Sequence, residues 1–233
     1  MAIKPKDNEA FYREVDEEVR RAQLTGYWHR YGKAMIVGVV LLLAGLGGFL
    51  YWQHNQKVAA GKNGEAMIAV FDDIQAGRRK EAGAKLDRLA KSDSIGYQAV
   101  ATLTKADLAI DAGNQDAAIA AFRTVADDPD LPEAYRNLAL VRMTALQFDT
   151  LDPDVVISRL RPLAKAGNPW FGSAGEMVAI AHIKQNKPQL AAPIFAALAK
   201  DEAVPESLRS RAVQMAGSLG VDAIQEPANP VKE

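Results

Sequence analysis

A chain of 233 residues with 28 basic and 29 acidic side chains has a formal charge of −1, so it lacks the basic excess that nucleic-acid binding requires. It has no cysteine, which excludes disulfides and thiol nucleophiles but leaves its redox compartment undecided. Its length allows one domain with a substantial core beside other elements.

Residues 1–33 form a leader of mixed charge. Within 8–24, Phe11, Val15, Val19 and Ala22 recur at spacings of four, four and three, which places them on one face of a short helix. Arg13, Asp16, Glu17 and Arg20 fall on the other face. A membrane-surface helix prefers a basic polar face, and this one mixes signs. It reads either as a helix leading into the next element or as a contact for a protein partner.

Residues 34–52 contain no charged side chain. As a helix they reach roughly 28 Å, the thickness of a bilayer's hydrocarbon core. A buried core helix normally has a polar face, and none is visible. A signal peptide has a short basic leader, whereas this leader is long and carries both signs; Val58-Ala59-Ala60 keeps that alternative open as a cleavage site. Tyr27, Trp28 and Tyr31 before the stretch and Tyr51-Trp52 at its end resemble interfacial anchors. The expectation is a single transmembrane helix. Arg20, Arg21, Arg30 and Lys33 precede it, against Lys57 and Lys62 after it, which favours a cytoplasmic N-terminus. Gly38, Ala44, Gly45 and Gly48 offer a small-residue side for contact with another membrane helix, although glycine is common in such helices anyway.

Residues 53–62 read as a linker, and 63–220 carry an internal repeat. Ala82, Leu86 and Leu89 set a small/large/large spacing that returns at Ala118, Phe122 and Val125, at Val156, Leu160 and Leu163, and at Ala191, Phe195 and Leu198. Periods near 36 residues point to stacked helix hairpins. Each triplet lies on the second helix of a pair. Gly77, Gly113 and Asn186 stand five residues before three of the triplets, as turn residues that accept positive φ. Val70, Ala106, Ala139 and Ala179 fall where the first helix meets its partner. The third turn, 148–153, is longer. Residues 206–216 read as a capping helix and 221–233, with two prolines, as a loose tail. These features are similar to the tetratricopeptide repeat. The predicted fold is therefore all-α: one N-terminal transmembrane helix, then an α-solenoid of tetratricopeptide-like hairpins.

Catalytic chemistry finds no footing. His29, His54 and His182 are the only histidines, and His182 has no carboxylate at metal-ligand spacing. Residues 172–175 (Gly-Ser-Ala-Gly) lack the first glycine and the preceding strand of a nucleophile elbow. No catalytic residue, metal site or cofactor is assigned. Binding remains. The repeat register places Met67, Phe71 and Ile74, then Leu103, Asp107 and Ile110, then Arg136, Leu140 and Met143, then Glu176, Ile180 and Ile183 on the concave side. Such a groove suits an extended or helical protein segment, including unfolded client chains. With few repeats the array can instead close on itself and bury these side chains.

Gly32-Lys33-Ala34, Val37-Gly38-Val39 and Tyr51-Trp52 before Gln-His-Asn-Gln resemble the bacterial YfgM-like family of ancillary SecYEG translocon subunits. The resemblance implies a single-pass inner-membrane protein whose repeat domain is periplasmic. It further implies partnership with the SecYEG translocon and a membrane-bound periplasmic chaperone, in the handover or folding of translocated proteins. A membrane-anchored repeat scaffold for cofactor-protein maturation or cell-envelope assembly is the alternative.

Overall fold

The computed structural model describes residues 6–222, with side chains from Tyr31 onward, Ala59 apart. The apolar face read for 8–24, the anchors Tyr27 and Trp28, and the tail from 223 lie outside that description. Every regular element among the described residues is an α-helix: α1 (Lys6–Gln75), α2 (Arg79–Leu89), α3 (Ile95–Asp111), α4 (Gln115–Ala126), α5 (Glu133–Leu146), α6 (Pro153–Leu160), α7 (Phe171–Lys184), α8 (Pro188–Lys200) and α9 (Glu206–Ser218).

The sequence divides the first 75 residues into leader, span, linker and first repeat helix, whereas α1 runs unbroken from Lys6 to Gln75. Residues 53–62 contain no proline and one glycine, Gly61, which costs a helix only about 1 kcal/mol relative to alanine. Nothing in that stretch stops a helix. The chain forms two compact units, residues 1–61 and 62–233. In the first unit, every side chain of residues 34–52 is exposed, including Met35, Leu42, Phe49 and Trp52. One apolar stretch within α1 is therefore long enough to cross a bilayer and buries none of its surface.

The second unit is a stack of helix pairs. All twelve residues of the small/large/large triplets are buried: Ala82, Leu86 and Leu89 on α2, Ala118, Phe122 and Val125 on α4, Val156, Leu160 and Leu163 on and just after α6, and Ala191, Phe195 and Leu198 on α8. They distribute into four apolar clusters. Each cluster also takes residues from the following first helix: Ala101 of α3 joins α1 and α2, and Ala212 and Ala216 of α9 join α7 and α8. That sharing makes neighbouring repeats stabilise one another.

The turns follow from their residues. Gly77 and Gly113 have φ of 74°, and Asn186 has φ of 56°. In each case the next amide donates to the carbonyl five residues back: Arg78 to Asp73, Asn114 to Ala109 and Lys187 to His182. This left-handed stop satisfies the last helix carbonyls and reverses the chain within a few residues. Asn114 then caps α4 by accepting from the Ala117 amide at 3.1 Å. The long third turn is held from α7: the Lys184 ammonium lies 4.2 Å from the Phe148 ring centroid, and Gln185 donates to Asp154 at 2.6 Å. Asp152 caps the short α6, with Pro153 at its first position.

The structure moves one helix-crossing position. Ala139 packs with Phe122 and Val125 of the preceding pair, and it is Val141 that joins Val156, Leu160 and Leu163 of its own pair. Ala is the more obvious small residue, but two positions along a helix rotate a side chain by about 200°.

Candidate protein-binding face

The first helices α3, α5, α7 and α9, with residues 62–75 of α1, stand side by side in the stack. All but α9, which no second helix follows among the described residues, carry residues against their own second helix: Val70, Ala106, Val141, and on α7 both Gly175 and Ala179. Gly175 is tightly enclosed; a Cβ there would meet the Phe171 ring of its own helix at 2.9 Å and Leu198 of α8 at 3.3 Å. Gly172 is similarly tight against Leu208 and Val204. The glycines of the 172–175 segment therefore serve helix packing.

One residue further along α1, α3, α5 and α7 lie Phe71, Asp107, Arg142 and Glu176, and Arg211 of α9 follows Glu176 at the repeat spacing. Arg142 donates to Asp107 at 3.0 Å, and Arg211 binds Glu176 through two hydrogen bonds. Both pairs join residues 35 apart. The Arg142 guanidinium also lies 5.0 Å from the Phe122 ring centroid, within cation–π range. Glu176 raises the pKa of Arg211 by hydrogen bonding and by its charge.

The sequence-predicted groove residues divide by burial. Met67, Leu103 and Met143 are core residues, each less than a tenth exposed, and are removed from the surface by packing against α2, α4 and their neighbours. Ile74, Ile110, Leu140, Ile180 and Ile183 are half-buried. Arg136 is half-buried, and its Nε makes no hydrogen bond among the described residues. Asp107 and Glu176 are occupied by the arginines of the next repeat. Phe71 is 47% exposed, and Ile68 on the same helix is 63% exposed. Sequence reasoning missed Ile68, Arg142 and Arg211; the alternation of Asp, Arg, Glu and Arg at one repeat spacing was the available signal.

Two other polar groups are settled by packing. Asp73, buried at the end of α1, accepts from Arg78 Nε at 2.8 Å and pairs with Lys85 Nζ at 2.6 Å. These partners, Lys85 first, hold its carboxyl below the usual range against the opposing effect of burial. Burial, aided by Lys187 and opposed by Asp154, lowers the pKa of His182, which keeps the imidazole neutral at pH 7. In the apolar unit, a Cβ added at Gly38, Gly45 or Gly48 would meet nothing within 4 Å, and Ala44 is exposed beside them.

The chain is 24% identical over 147 residues to the ancillary SecYEG translocon subunit of Haemophilus influenzae, covering 63% of this chain and 71% of that protein. No solved structure matches. The tetratricopeptide repeat-like domain model matches residues 25–215, a range that takes in the apolar stretch as well as the hairpins. The chain belongs to the tetratricopeptide repeat-like domain family.

Proposed function

We propose that the protein is a non-enzymatic, membrane-anchored interaction subunit that associates with the SecYEG translocon and a membrane-bound periplasmic chaperone and assists handover or folding of translocated chains. The observation that carries this reading is the pairing, in one chain, of an exposed apolar helix of bilayer length with a stack of helix hairpins. The name of the Haemophilus influenzae relative supports the translocon as the place of work. The anchor is residues 34–52, with the N-terminus cytoplasmic and the hairpins periplasmic, as the excess of Arg and Lys before the span favours. Gly38, Ala44, Gly45 and Gly48 supply the side on which a partner's membrane helix packs.

Within the hairpin stack, the binding region is concentrated at the first repeat. The acids and arginines of the later repeats neutralise each other, whereas Ile68 and Phe71 leave apolar surface open to a client segment. A photocrosslinking residue at position 71, in the full chain in its native membrane, tests this assignment. The expected adducts are with translocon subunits, the chaperone or emerging chains; adducts only to envelope-assembly or cofactor-maturation proteins would favour the scaffold alternative.

A further inference from the structure

The outer side of the first hairpin holds a cleft of about 260 Å³ between α1 and α2, lined by Asn63, Ala66, Ala69, Lys85, Arg88 and Leu89. It is smaller than the roughly 300–1,000 Å³ of sites that enclose small-molecule ligands, and matches one or two aliphatic side chains. Ala69 and Phe71 are two residues apart, so they leave α1 about 200° apart. The cleft is thus separate from the first-helix face.

Its counterpart in the second repeat identifies the kind of group that covers it. Ala69 corresponds to Lys105, 36 residues on, the spacing that also relates Gly77 to Gly113. Lys105 of α3 is ion-paired with Asp87 of α2, the second helix of the preceding pair. In the second repeat an acid on a neighbouring helix, Asp87, therefore meets this position. The first repeat has no preceding second helix among the described residues.

The charge of the rim agrees. Residues 78–91 hold six basic and two acidic side chains. Asp73 occupies Arg78 and Lys85, and Asp87 occupies Lys105. Arg88, on the cleft wall, has no ion pair among the described residues, nor do Arg79 and Lys80 nearby on α2. Lys85 also donates to the Ala69 carbonyl at 3.3 Å, which fixes the floor.

We propose that this cleft receives a helical segment of a partner protein, one that carries an aspartate or glutamate for Arg88 beside a leucine-sized side chain for the floor of Ala66, Ala69 and Leu89. This site is independent of the translocon reading.

The test uses the full chain in phosphatidylcholine nanodiscs. Anisotropy is measured with a labelled amphipathic peptide of Glu and Leu and with its Lys and Leu counterpart, and vesicles containing phosphatidylglycerol are added separately. The Glu peptide binds saturably, and Arg88→Glu and Ala69→Phe each weaken it by at least about tenfold. Arg88→Glu also gains affinity for the Lys peptide. Because Arg88 is exposed, that variant folds whether or not Ala69→Phe does. Three results overturn the proposal: no binding of the Glu peptide, equal binding to wild type and both variants, or Arg88-dependent binding to the vesicles alone.

Discussion

Glu176 on α7 accepts two hydrogen bonds from Arg211 on α9, 35 residues later, and so ties the last hairpin to the capping helix. Asp107 and Arg142 make the same step between α3 and α5. These links add directional contacts to the apolar packing between repeats, as Lys105–Asp87 and Gln185–Asp154 do elsewhere in the stack.

Because Arg211 is largely exposed, its pair contributes modestly. A double-mutant cycle with Glu176→Gln and Arg211→Ala is expected to give a coupling of about 0.2–1 kcal/mol. The coupling shrinks in molar salt, measured by urea unfolding at two ionic strengths.

Core truncation is a larger perturbation. Phe122 is fully buried and lies under Arg142, so Phe122→Ala is expected to destabilise the hairpin stack by about 3–5 kcal/mol. Overpacking at Gly175 by valine is expected to cost about 1–3 kcal/mol, since Phe171 and Leu198 already touch the position a Cβ takes. Chemical denaturation of the full chain in detergent checks both.

Asp73 makes stability depend on pH. Its folded pKa is lowered by Lys85 and Arg78, so its contribution is fully present above the unfolded carboxylate value of about 3.9. It is lost as pH falls through the folded value. Asp73→Asn is therefore less stable than wild type at pH 7, and the difference in Tm narrows as the solution is acidified below pH 4. A gap that stays constant into acid contradicts the ion-pair account.

Much of this architecture was legible from spacing alone. The triplets of α2, α4, α6 and α8 repeat because each second helix must bury the same stripe, and Gly77, Gly113 and Asn186 announce their turns through backbone chemistry. The continuity of α1 was not legible, since a change from apolar to polar residues marks a change of surroundings rather than a helix end. Which of the residues expected on the groove are exposed was legible only in part. Met67, Leu103 and Met143 have the right period to line a face, but the same period serves the core, and only the rotation of each helix decides between them. The pairs made by Arg142 and Arg211 are not legible from the apolar pattern, because long charged side chains reach a neighbouring repeat without sharing it.

The open end of the first-helix face gives a functional prediction. Phe71→Glu places a charge on an exposed apolar site that no core cluster uses. It is expected to leave Tm within about 0.5 kcal/mol of wild type in stability terms while reducing partner crosslinking from neighbouring position 68. A large loss of stability contradicts the surface assignment, and unchanged crosslinking contradicts the binding role.

The central claim is association with the translocon through an anchored repeat protein. Affinity purification of the full chain after mild detergent extraction, under conditions that keep SecYEG intact, measures it most directly. The account predicts recovery of the translocon subunits with the chain, and their loss when residues 34–52 are replaced by an unrelated polyleucine span. Recovery of the chain alone, with SecYEG intact in the unbound fraction, contradicts it.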